Sequence, residues 1–147
     1  MKLKNTSHLI SVIILFKTSF LYAQEQTCDI SIEVIGLKNT EGQIMISINR
    51  GPEGWPEANF VEQRFIPEFT SPTFTIIFEN MPYGNYAVGV LHDKDNNGKM
   101  TKNFIGMPKE AFGFTRDYNV VFRAPKYEEA NFDVKDPTKT LAINLQH

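Results

Sequence analysis

Apolar and polar side chains alternate with a period of two along most of this chain. Ile30, Ile32 and Val34 alternate with Asp29, Ser31 and Glu33, and Ile44, Ile46 and Ile48 alternate with Gln43, Met45, Ser47 and Asn49. Successive side chains of a strand point to opposite faces, so each run predicts a strand with one buried face. Residues 38–42 form a short polar connection ending in Gly42, and they predict a first hairpin. Gly51, Pro52, Gly54 and Pro56 break the pattern and predict a loop leaving the sheet. Residues 65–69 predict a short strand that Pro67 confines to an edge. Phe74, Ile76 and Phe78 alternate again and, after a turn over 80–84, so do Tyr86, Val88 and Val90.

Residues 93–119 lack strand periodicity. Phe104, Ile105, Met107, Phe112 and Phe114 make this stretch too apolar for a solvated linker, which predicts a long loop folded back on the sheet. By the same argument Phe104, Phe112, Phe114 and Tyr118 are expected to join the core. Residues 120–123, 130–134 and 140–145 predict the last strands, and a single helical turn is open to 108–111 or 127–130. Strands at this spacing, without alternating helices, predict an all-β fold: a single antiparallel β-sandwich of about seven strands, with a long loop after the fifth.

The amino terminus alters the charge. Lys2 and Lys4, an apolar run over 9–16 and the small Ala23 before polar Gln24 have the form of a secretory signal peptide, residues 1–23. The apolar run is shorter than the ~20 residues of a membrane-spanning helix. The domain is then 24–147, and the protein is expected to be exported, to the periplasm or beyond the cell, after cleavage near Ala23. The full chain has 15 basic and 17 acidic side chains, and three of the lysines lie in 1–23 with no acid. Residues 24–147 therefore carry twelve against seventeen, a net charge of −5, which opposes nucleic-acid binding and suits cations. Cys28 is the single cysteine, so no internal disulfide forms.

Candidate chemistry is concentrated after the strand that ends in His92. Asp93, Asp95 and Asn97, then Gly98 and Lys99, reproduce the front half of a calcium loop: side-chain oxygens at positions 1, 3 and 5, a turn glycine at 6 and a backbone carbonyl at 7. Thr101 offers a hydroxyl, whereas Phe104 stands where a bidentate glutamate would close the cage. As a metal site the set is Asp93, Asp95, Asn97, Lys99 and Thr101. With few charges its calcium affinity would be on the order of 10⁻⁴ to 10⁻³ M, unless Glu110 or Asp117 folds in. The same residues are those that β-turns select, so a metal-free polar turn is the competing reading. His92 beside Asp93 invites an acid/base reading, but adjacent strand residues point to opposite faces, and no zinc cluster or activated nucleophile accompanies them. The expectation is a protein that is not an enzyme.

Several motifs together resemble a known family. The Glu41-Gly42-Gln43 turn, the 52–56 segment around Trp55, the run 78–88, His92-Asp93 through Met100, residues 103–108 and Phe112-Gly113-Phe114 follow the signature of the bacterial secreted proteins called the domain of unknown function 2141 family. Met81-Pro82-x-Gly84-x-Tyr86 also resembles prealbumin-like sandwiches. The resemblance implies a location outside the cytoplasm and a prealbumin- or immunoglobulin-like sandwich, and brings no established activity. Such proteins commonly carry an aspartate where this chain has Thr101.

The function expected from the sequence is therefore a secreted or periplasmic non-catalytic binding or accessory module with a weak calcium site and an extracytoplasmic protein or glycan as partner. Trp55 is either an exposed platform for a sugar or peptide, or a cap on the end of the core. The alternatives are a weak hydrolase or hydrolase accessory using His92 and Asp93, and a structural component of the envelope.

Overall fold

The computed structural model describes residues 25–118 and 123–147. The signal peptide expected over 1–23 and all but the last residue of the strand expected over 120–123 lie outside the described residues. The described chain is all-β and forms two sheets. Its eight strands are β1 (Thr27–Ile35), β2 (Gln43–Asn49), β3 (Glu62–Ile66), β4 (Thr73–Pro82), β5 (Gly84–Asp93), β6 (Phe112–Phe114), β7 (Phe132–Val134) and β8 (Thr138–Asn144). A 3-10 turn, Thr115–Asp117, and the one-turn helix α1, Tyr127–Ala130, complete the described elements. Among the described residues no helix is long and apolar enough to cross a membrane.

One sheet has the order β4-β1-β8. The other runs β3-β2-β5-β6, with β7 also paired to β5. The hairpin expected between β1 and β2 does not form, because the two strands lie in different sheets. Period-two alternation identifies a strand's buried face but not its neighbour, and here residues 36–42 carry the chain from one sheet to the other. Single-residue Tyr83 does the same between β4 and β5, and the Tyr86 hydroxyl fastens that crossing by donating to the Pro82 carbonyl at 2.6 Å. The expectation of a wholly antiparallel arrangement also fails. β1 is antiparallel to β4 but parallel to β8. Parallel neighbours need a long crossover, and everything between residues 36 and 137 supplies it.

Between the sheets lies one apolar cluster. Ile30, Ile32, Val34, Phe78 and Ile143 enter it from the three-stranded sheet, and Ile44, Ile46, Ile48, Tyr86, Val88 and Val90 enter from the other. Fully burying an aliphatic or aromatic side chain of this size contributes about 1.5–3 kcal/mol, so this interface is the main source of stability. β5 is buried on both faces because a second, small cluster covers its outer side: Ala87, Tyr127 and Ala130, flanked by Trp55 and Phe114. Fully buried Thr115 ties that layer together. Its hydroxyl accepts from the Val88 N–H at 3.1 Å and donates to the Ala130 carbonyl at 2.6 Å.

The segment after β5 departs from expectation in two ways. It contains β6, whose three residues are too few to show periodicity. Phe112 is buried there and Phe114 half-buried, as an apolar loop requires, but Phe104, Ile105 and Met107 do not fold back on the sheet; all three are exposed. The helical turn forms at Tyr127–Ala130 and not over 108–111, where Pro108 instead bridges Lys102.

Candidate metal centre

Asp93 is the last residue of β5 and lies opposite Gln43, the first residue of β2. The two strand ends can meet only because Gly42 precedes Gln43. Its φ is +73°, and a Cβ there would lie 2.2 Å from the Asp93 carbonyl oxygen. The Asp93 side chain, fully buried, then organises the loop that follows. Oδ1 accepts from the Asn97 N–H at 3.1 Å, and Oδ2 accepts from the Gly98 N–H at 2.9 Å and from Gln43 Nε2 at 2.7 Å. Asn96 and Gly98, with φ of 56° and 76°, provide the left-handed turns that let the chain wrap round this carboxylate.

Exposed Asp95 takes the Asn97 N–H on Oδ1 at 3.2 Å and the Thr101 hydroxyl on Oδ2 at 2.8 Å. The Thr101 hydroxyl is the main reason the Asp95 carboxyl titrates below its ordinary range; desolvation opposes it, and the Asn97 N–H adds to the lowering. Asn97 links the ends of the loop, its Nδ2 donating to Thr101 Oγ1 at 2.8 Å and its Oδ1 accepting from the Lys99 N–H at 2.9 Å.

Glu110 enters from the far end of the segment. Its Oε1 accepts from the Lys94 N–H at 2.8 Å and its Oε2 from the Thr101 N–H at 2.7 Å, in a site that leaves Glu110 only 6% exposed. Asp93, Asp95 and Glu110 thus bring one carboxylate oxygen each to within 4.8 Å of one another. Among the described residues, none of the ion pairs involves these three groups; nearby Lys94 turns instead to Glu41, at 3.7 Å.

The five sequence-predicted residues are brought together, with different parts. Asp93, Asp95, Asn97 and Thr101 share one hydrogen-bonded ring, while Lys99 contributes its N–H to Asn97. Phe104 points away into solvent, and Glu110 supplies the carboxylate that position 12 lacks. Asp117 does not join; it accepts from the Asn144 N–H and Nδ2. Linear spacing does not separate Glu110 from Asp117 as the extra ligand; the choice is made because residues 102–109 form a finger whose base closes by the Lys109 N–H donating to the Thr101 carbonyl at 2.9 Å.

The donor set fits a hard cation. A carboxylate has about four acceptor positions; the hydrogen bonds above use three on Asp93 and two each on Asp95 and Glu110, which leaves free positions on all three. Oxygen ligands from carboxylates and backbone carbonyls are those calcium takes.

His92 leaves β5 on the face opposite Asp93. Only 2% exposed, its ring Nε2–H donates to the Glu41 carbonyl at 2.7 Å, and the ring meets Phe69 edge-on at 5.5 Å. Trp55 is half-buried. It meets Phe114 and Tyr127 edge-on at 5.6 and 6.2 Å, and its indole N–H donates to the Pro125 carbonyl at 2.9 Å. These contacts make it a cover for the outer face of the five-stranded sheet.

The family described as uncharacterized protein conserved in bacteria (DUF2141) matches residues 32–142. No curated protein and no solved structure matches the chain.

Proposed function

Starting from a chain that belongs to the DUF2141 family of uncharacterized proteins conserved in bacteria, we propose an exported, non-catalytic β-sandwich that serves as a binding or accessory module and takes calcium at the end of β5. The observation that carries this reading is the convergence of Asp93, Asp95 and Glu110 within 4.8 Å, with acceptor positions still free on each. Thr101 Oγ1 and the Lys99 carbonyl complete the candidate ligands. Calcium would offset two of the three negative charges of the clustered carboxylates and lock the loop to β5, a stabilising and not a chemical role. The sandwich assignment, of prealbumin or immunoglobulin type, is supported by two sheets sharing one apolar cluster. Export is supported by the amino-terminal pattern of basic, apolar and small residues. A hydrolytic role for His92 is disfavoured because its ring is buried, bonded to a backbone carbonyl and turned away from Asp93.

Calorimetric titration with calcium tests the site. Because Glu110 joins the cluster, binding tighter than about 10⁻⁴ M is expected, with a rise in melting temperature that Glu110→Gln and Asp95→Asn reduce. No heat and no thermal shift at millimolar calcium would overturn it and leave the loop as a self-bonded turn.

A further inference from the structure

We infer that the finger formed by residues 101–110 docks on an anionic lipid surface. The finger is built to hold its shape. Lys102 bridges Pro108, the Asn103 N–H donates to the Met107 carbonyl at 2.9 Å, and the Gly106 N–H donates to the Asn103 carbonyl at 3.0 Å. Asn103 Oδ1 accepts from the N–H groups of both Ile105 and Met107, at 3.0 and 2.9 Å. Its root is fastened by Glu110 to the Lys94 and Thr101 N–H groups.

What this turn presents is apolar. Phe104 is 98% exposed, Ile105 68% and Met107 45%. Water-exposed clusters of large apolar side chains on a well-bonded turn mark an interaction site, since folding gains nothing from placing them there. The charge around the tip selects the occupant. Residues 96–109 contain Lys99, Lys102 and Lys109 and no acid, although residues 24–147 carry −5. All three lysines are exposed, and among the described residues none is in an ion pair. While the nearest carboxylates, Asp93, Asp95 and Glu110, are gathered at the root of the finger, cationic charge on an otherwise acidic protein thus flanks, along the sequence, its most exposed apolar side chains. That combination is complementary to a bilayer interface, where aromatic and aliphatic tips enter the headgroup and acyl boundary and lysines meet lipid phosphates. This inference does not rest on the calcium reading, and working in chelator keeps the two separate.

The full chain is labelled with an environment-sensitive fluorophore at Ile105→Cys, where the native Cys28 is sheltered by burial, and titrated with phosphatidylcholine vesicles with or without phosphatidylglycerol. A blue shift is expected with the anionic vesicles alone. Replacing Lys99, Lys102 and Lys109 by Gln should weaken partitioning on the order of a hundredfold. In unlabelled chains compared by vesicle sedimentation, Phe104→Ser with Ile105→Ser should weaken it at least about tenfold at unchanged melting temperature. Comparing variants on the same full chain cancels any contribution from the apolar run over 9–16. Unchanged emission at saturating anionic lipid, equal response to neutral vesicles, or a blue shift that follows protein concentration without vesicles would overturn the proposal, the last by identifying a second copy of the chain as the occupant.

Discussion

At the scale of single residues, the loop after β5 shows how donors set the acidity of an exposed carboxylate. Asp95 is held below its ordinary value of 3.8 chiefly by the Thr101 hydroxyl. A depressed carboxyl stabilises the fold fully above its unfolded value, and that contribution is lost as pH falls below 3.8 through the folded value. Thr101→Ala should therefore return the Asp95 pKa upward toward 3.8, read from the carboxyl carbon shift in an NMR titration; an unmoved midpoint would mean that the other hydrogen bonds of the loop, the Asn97 N–H among them, set it. The spacing of Asp93, Asp95, Asn97 and Thr101 made this cluster legible in the sequence. Glu110 entered there only as one of two conditional candidates, because nothing in spacing distinguishes it from Asp117 until the finger pairs and brings residue 110 back to residue 101.

At the scale of elements, short pieces depend on what they cover. Four-residue α1 is far below the length at which a helix is stable alone. It is held by Tyr127 and Ala130 packing on β5 beside Trp55, by the Tyr127 hydroxyl donating to the Asn85 carbonyl at 2.6 Å, and by Arg123 gripping Glu129 at 2.7 and 2.8 Å. Trp55→Ala should cost about 2–3 kcal/mol in urea unfolding, below the about 3–5 kcal/mol of a fully buried tryptophan because Trp55 is half-buried. A cost under about 0.5 kcal/mol would place Trp55 among ordinary surface residues and revive it as a ligand platform. Pattern reading located β1, β2, β4 and β5 because each shows at least three alternating apolar residues. The pattern places β3 three residues late, since the strand ends at Ile66 before Pro67 and contains Arg64 and Gln63 where apolar residues would signal it.

At the scale of the whole molecule, stability rests on two sheets closing over one cluster, so position across the sheet matters more than residue type. Ile32, in central strand β1, is fully buried, whereas Ile77 in the same sheet faces solvent. Ile32→Ala should cost about 2–5 kcal/mol in urea unfolding and Ile77→Ala about 0.5 kcal/mol or less; equal losses would contradict a core between the sheets. The alternation of side chains was enough, by itself, to determine that the chain is all-β, which side chains of the long strands meet the common core and where the acidic loop begins, because these depend on neighbours in sequence. That β2 and β5 are buried on their other face as well was not legible there. Tertiary structure alone decided that β1 and β2 part into separate sheets, that β8 returns parallel to β1, that Glu110 closes on Asp93 and Asp95, and that Phe104 faces water. Each of those outcomes depends on which distant segments meet, and local period and spacing carry no information about that.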